Sequence, residues 1–129
     1  MSGSRTRILV ALAASVLLVV ALSGTAEASV PGKGTTTIIR ALGNYYSSPH
    51  WSPRLTRISR RTTIEWLAVT NDHHIVAYGG NWRFNHALPN GASVDRRFAS
   101  AGTFLFRCRI HSTMTNGVCQ GMCGKIIVT

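Results

Sequence analysis

The 129-residue chain predicts an all-β fold, a Greek-key β-sandwich, and three observations carry that expectation. Apolar residues alternate with others over short runs: Ile64, Trp66 and Ala68 share one face of such a run, and Phe104, Phe106 and Cys108 share one face of another. Gly, Pro and Asn punctuate these runs at Gly79-Gly80-Asn81 and Pro89-Asn90-Gly91. The chain shows no internal repeat, no heptad pattern and no long helical period. Short alternating strands at that spacing bury one face each and therefore pack as two sheets.

Taken in order, residues 1–28 read as a signal peptide. Arg5 and Arg7 precede an apolar run over 8–22, and Ala26-Glu27-Ala28 supplies a small-x-small cleavage signature. The run is shorter than the ~18 residues that favour a spanning helix. Residues 29–35, with Pro31, Gly32 and Gly34, form a flexible tail, and the folded domain is expected over 36–129. Thr and Ile favour a first strand over 35–41. Residues 42–53, with Gly43, Asn44, two serines next to Pro49 and then Pro53, read as a loop in which His50 and Trp51 are surface residues. Strands follow over 55–58 and 62–69, separated by a turn at Arg60-Arg61. Asn71-Asp72 breaks the pattern, which resumes at His74-Ile75-Val76. Residues 82–88 cross between sheets, and 94–98 and 103–108 are strands. A long loop then leads to a terminal strand over 125–129.

Composition narrows the function. Loss of residues 1–28 removes Arg5, Arg7 and Glu27, leaving 12 basic and 3 acidic residues and a net charge of +9. An exported protein with this charge suits acidic protein partners, anionic membrane surfaces or wall polymers rather than nucleic acid, and charge also serves solubility. Acids are too few for paired-carboxylate catalysis, and no glycine-rich phosphate loop or nucleophile elbow is present, so no enzyme activity is expected. All three cysteines, Cys108, Cys119 and Cys123, lie in the last stretch. An odd number in an exported chain leaves one thiol unpaired. If Cys119 pairs with Cys123, the remaining thiol is Cys108; a four-residue offset permits this where a turn brings the Cα atoms about 5 to 6 Å apart.

That stretch also holds the candidate chemistry. Alternation points Cys108 inward at the end of its strand; His111 lies three residues on, and Met114 and Met122 follow. A thiolate, an imidazole and a thioether form a soft ligand set suited to copper, and one further imidazole would complete a His₂Cys site with a weak axial methionine.

The residues Gly102-Thr103-Phe104, Phe106, Cys108 and His111, with the run Met122-Cys123-Gly124-Lys125-Ile126-Ile127-Val128, resemble the C-terminal copper-binding loop of the cupredoxins, plastocyanin and amicyanin in particular. Ser52-Pro53 and Leu55, followed by Thr62-Thr63-Ile64 and Trp66, are similar to the N-terminal half of that family, extending the resemblance over most of 36–129. It implies one type 1 copper ion and single-electron transfer between redox partners. It implies His74 as the missing imidazole, since His74-Ile75-Val76 has the family's H-x-V form after an Asn-containing turn; His73 is expected to face the other way, and His50 and His86 to be exposed. The implied ligands are His74, Cys108, His111 and an axial methionine. Met122 stands where the family's methionine stands relative to the last strand, whereas Met114 has the short amicyanin-like spacing from His111.

Two departures stand out: Arg107 replaces the aromatic residue beside the copper cysteine, and the loop is longer and carries two cysteines. The segment 117–124 is also faintly similar to a binuclear copper loop but lacks the His and Met that should follow its second cysteine. In the resembled fold His111 lies near the surface, so Ile110 and Arg109, with Leu88, Pro89, Arg83 and Arg107 around them, are expected to dock an acidic redox partner. A monomer exported to a periplasm, cell wall or medium is expected. A copper storage or delivery protein without electron transfer is the rival.

Overall fold

The computed structural model describes residues 34–44 and 46–129. The expected signal segment and residues 29–33 of the tail lie outside the described residues. Nine strands are present among them: β1 (Thr36–Leu42), β2 (His50–Ser52), β3 (Leu55–Ile58), β4 (Thr62–Ala68), β5 (His73–Tyr78), β6 (Asn85–Leu88), β7 (Ser93–Phe98), β8 (Gly102–Thr115) and β9 (Val118–Val128). They form two mixed sheets, in the orders β2-β1-β4-β7 and β3-β9-β8-β5-β6. β1 runs parallel to β4 and β3 parallel to β9, and the other pairings are antiparallel. The chain crosses from one sheet to the other after β2, β3, β4, β6 and β7, which makes it an all-β sandwich.

The alternation expected from sequence positions the core. β4 is the clearest case, with Thr62, Ile64, Trp66 and Ala68 buried and the intervening residues partly exposed. Ile39, Ala41, Ile64, Trp66 and Phe98 from one sheet meet Ile75, Phe106, Cys108, Met122, Ile126 and Val128 from the other. The rings of Trp66 and Phe106 lie edge to face at 5.5 Å, an arrangement that favours the aromatic quadrupoles as well as burying area.

Three segments differ from expectation. Within the expected loop 42–53, residues His50–Ser52 pair with β1 as an edge strand, and Trp51 is a core residue rather than a surface one. A large apolar ring flanked by serines and prolines has no alternating context to reveal it, and tertiary burial decides its place. Within the expected crossing segment 82–88, Asn85–Leu88 forms β6, an edge strand on β5. Finally, the expected long loop before residue 125 is largely a β-hairpin: β8 and β9 stay paired from Gly102↔Val128 out to Thr115↔Val118. Asn116 and Gly117 close it, both at positive φ (50° and 77°). An Asn-Gly pair with both central residues left-handed is the favoured two-residue hairpin turn, so the signal for this arm was present in the sequence.

Candidate metal centre

The β8–β9 ladder is interrupted once. Arg107 pairs with Cys123 and Ser112 with Gly121, so residues 108–111 on β8 stand against Met122 alone on β9. The surplus residues loop out of the ladder, as in an enlarged bulge. This brings Cys108 and His111 round to the same point, with His111 Nδ1 3.4 Å from Cys108 Sγ. Gly121 makes the opposing bend possible: its φ is +95°, and a Cβ there would lie 2.6 Å from the His111 carbonyl oxygen.

The third group comes from the start of β5. His73 is 2% exposed, and its Nδ1 lies 3.7 Å from Cys108 Sγ. Its Nε2–H donates to the Thr70 carbonyl at 2.9 Å, which leaves Nδ1 as the nitrogen with a free lone pair toward the sulfur. The rings of His73 and His111 are 5.0 Å apart. One donor atom from each of His73, Cys108 and His111 lies within 4.8 Å of the other two.

The group contains His73 where the sequence expectation has His74. Ile75 is fully buried in the core, so alternation sets His73 on its face and turns the His74 side chain to the other. The His74 ring instead meets Asn85 on β6, Nε2 to Oδ1 at 2.5 Å. What His74 brings to the centre is its backbone N–H, which donates to Cys108 Sγ at 3.4 Å. The sequence expectation phases the alternation from His74 and Val76, whereas the buried Ile75 places His73 on the inward face.

The methionines also separate. Met122 is fully buried in the core cluster that holds Cys108, whereas Met114 is 37% exposed on the hairpin arm, opposite Cys119. Trp51, which sequence reasoning left on the surface, supports the buried methionine: its Nε1–H donates to the Met122 carbonyl at 3.0 Å, and its ring lies 6.1 Å from that of His73. Cys119 and Cys123 are joined by a disulfide that flanks Met122, with Cα atoms 6.1 Å apart, and Cys108 is a buried free thiol. His50 bonds the Ser48 carbonyl through Nδ1, and the His86 ring lies tilted against that of Phe84 with centroids 4.4 Å apart; neither joins the group.

Electrostatics suit ligation. Burial lowers the pKa of His73 below its ordinary value, outweighing the Thr70 hydrogen bond that raises it, with nearby His111 lowering it further. Burial lowers that of His111 as well. Both imidazoles are therefore neutral at pH 7, the form that binds a metal. Two neutral imidazoles, a buried thiol and a buried thioether are the donor set that fits copper. The side of the site toward solvent is a groove of about 410 Å³ bordered by His111, Ile110, Pro49 and Gln120. Ile110 is 43% exposed there and Arg109 is exposed. Leu88, expected among the apolar surface neighbours, is fully buried in the core.

The two-sheet sandwich has the cupredoxin-like fold, and the His73, Cys108 and His111 group beside its last hairpin fits one copper ion. Solved structures agree on the fold. Pseudoazurin from Methylobacterium extorquens AM1 superposes with a TM-score of 0.57 at 18% identity, covering 72% of this chain and 74% of that one. A purple cupredoxin from Nitrosopumilus maritimus gives 0.57 at 19% identity over 72% of this chain and 99% of its own. A reduced Cu(I) form of an amicyanin mutant gives 0.57 at 15% identity over 79% and 88%. No family model matches the chain, and no curated protein matches it in sequence.

Proposed function

We propose that this chain is an exported mononuclear type 1 copper protein that carries single electrons between redox partners, with His73, Cys108 and His111 as its strong ligands and Met122 as the weak axial one. The observation that carries this reading is the convergence of one buried thiol and two neutral imidazoles, their donor atoms within 4.8 Å of one another. Copper, when bound, supplies the one-electron Cu(I)/Cu(II) couple. The chain holds the donors in place: Thr70 orients His73, the His74 N–H supports the sulfur, and Trp51 anchors the Met122 backbone. Donors that need not move between oxidation states suit rapid electron exchange. Met122 is preferred over Met114 because it is buried with Cys108 while Met114 is exposed on the arm.

His111 borders the groove at the surface, so it is the ligand through which a partner would exchange electrons. Arg109 and Ile110 beside it supply charge and apolar area, and a net charge of +9 over residues 29–129 favours an acidic partner. Export to a periplasm, wall or medium rests on the signal-like residues 1–28 and agrees with a disulfide beside the centre. The reading as a carrier rather than an enzyme rests on the small set of acids and the single mononuclear group among the described residues.

The test is the spectrum of copper-loaded protein lacking residues 1–28. Cu(II) should give an intense thiolate-to-copper absorption at one copper per chain, and Cys108→Ser should abolish it. The same absorption in Cys108→Ser would refute the assignment, and tight Cu(I) binding without colour in the parent would favour storage or delivery.

A further inference from the structure

The hairpin arm and Cys123 just inside its base carry three sulfur atoms that the central site does not use. Cys119 and Cys123 form the disulfide, and both are partly exposed. Met114 is the direct cross-strand partner of Cys119 in the β8–β9 ladder. Residues directly opposite in an antiparallel pair point to the same face with Cβ atoms about 4.5–5.5 Å apart, so the flexible thioether of Met114 lies within reach of the Cys119 sulfur. At 37% exposure Met114 contributes little to the core.

We infer that the arm is a second, redox-gated Cu(I) site, in which Cys119, Cys123 and Met114 bind one copper ion once the disulfide has been reduced. The reductant is an external dithiol. Its two thiols become its own disulfide, the bond between the Cys119 and Cys123 sulfurs breaks, and each sulfur takes one proton. Cu(I) then binds both sulfurs as thiolates, displacing the two protons, while Met114 adds a neutral thioether. Soft sulfur donors select Cu(I). Two thiolates and one Cu(I) leave a single negative charge, and the surroundings offset it: Arg107 is the cross-strand partner of Cys123, and Arg54 and Lys125 line a cleft with Cys123. In the oxidised protein the same sulfurs are bonded to each other and the site is closed. The arm would thus take up copper only after a dithiol has reduced the disulfide.

This inference stands apart from the role of Cys108, and its test separates the two. The chain is reduced with a thioredoxin-type dithiol protein under anaerobic conditions, freed of reductant, and titrated with Cu(I) against the chelator bicinchoninate, alongside the disulfide form. Reduction should raise the stoichiometry from one copper per chain to two. In Cys108→Ser the reduced form should still gain one equivalent over the oxidised form, which locates the gain outside the central site. The double variant Cys119→Ser with Cys123→Ser should lose the second equivalent. Met114→Leu, which leaves the disulfide and the fold intact, should weaken the second equivalent severalfold and spare the first. Equal stoichiometry in the reduced and oxidised forms would overturn the inference, as would a second equivalent indifferent to Met114→Leu.

Discussion

The adjacent histidines at the start of β5 illustrate how one residue of register separates a member of the His–Cys–His group from a side chain outside it. His73 presents Nδ1 to the Cys108 sulfur while His74 turns to Asn85. His73→Ala should therefore lower copper affinity and open the centre to external ligands, changing its absorption. His74→Ala keeps the backbone N–H that supports the sulfur and should leave the spectrum near that of the parent. Copper-loaded absorption spectra check both, and the opposite ranking would return the role to His74. The same burial that keeps His73 and His111 neutral sets a pH dependence. Their folded-state pKa values lie below the ordinary value of about 6.5, so the unfolded chain binds more protons between those limits. The stability due to their neutral burial is present above about pH 6.5 and is lost as pH falls through the lowered folded-state values. Denaturant midpoints of the copper-free protein should fall on acidification below pH 6.5, and less so in His73→Gln. An equal fall in both would remove His73 from the account.

At the scale of elements, the sandwich was legible and the hairpin arm was not. Strict alternation in Ile64, Trp66 and Ala68 and in Phe104, Phe106 and Cys108 gave those strands their faces, and turn residues at 79–81 and 89–91 separated the rest. Trp51 escaped because a three-residue edge strand is too short to show a period. The arm is missed because 109–124 reads as a ligand loop, although Asn116-Gly117 carries the turn signal. His73 is missed because the expected alternation is phased from His74, whereas the buried Ile75 sets the inward face. Gly121 gives a test of the arm's geometry. Substitution by Ala forces a side chain into a left-handed backbone and toward the His111 carbonyl. Such a position costs about 1–3 kcal/mol. Gly121→Ala should lower the thermal midpoint by several degrees and disturb the copper absorption together, because the bend belongs to both the strand and the site. A stability loss with an untouched spectrum would separate the two.

Across the whole molecule, charge is the property most open to experiment. Residues 29–129 carry +9, and the groove beside His111 is flanked by exposed Arg109. Exchange with an acidic redox protein should be steered by this field at low salt. Screening lengths shrink from ~30 Å at 0.01 M to ~8 Å at 0.15 M, so stopped-flow rates should fall markedly over that range. Arg109→Glu should slow exchange further while leaving the spectrum unchanged. Rates indifferent to salt would make the charge a matter of solubility or wall attachment.

The single interruption of the β8–β9 ladder has a consequence for how such a protein can diversify. Cys108, His111 and Met122 all sit at that interruption, and only His73 comes from elsewhere in the sandwich. The chain beyond it, from Ser112 to Gly121, is a paired ribbon tied to the centre at two points: Gly121, whose left-handed bend faces the His111 carbonyl, and Cys119, whose disulfide to Cys123 flanks Met122. Only the tip, residues 113–118, lies outside those ties, so it is the part of the arm whose side chains can change while the centre keeps its geometry.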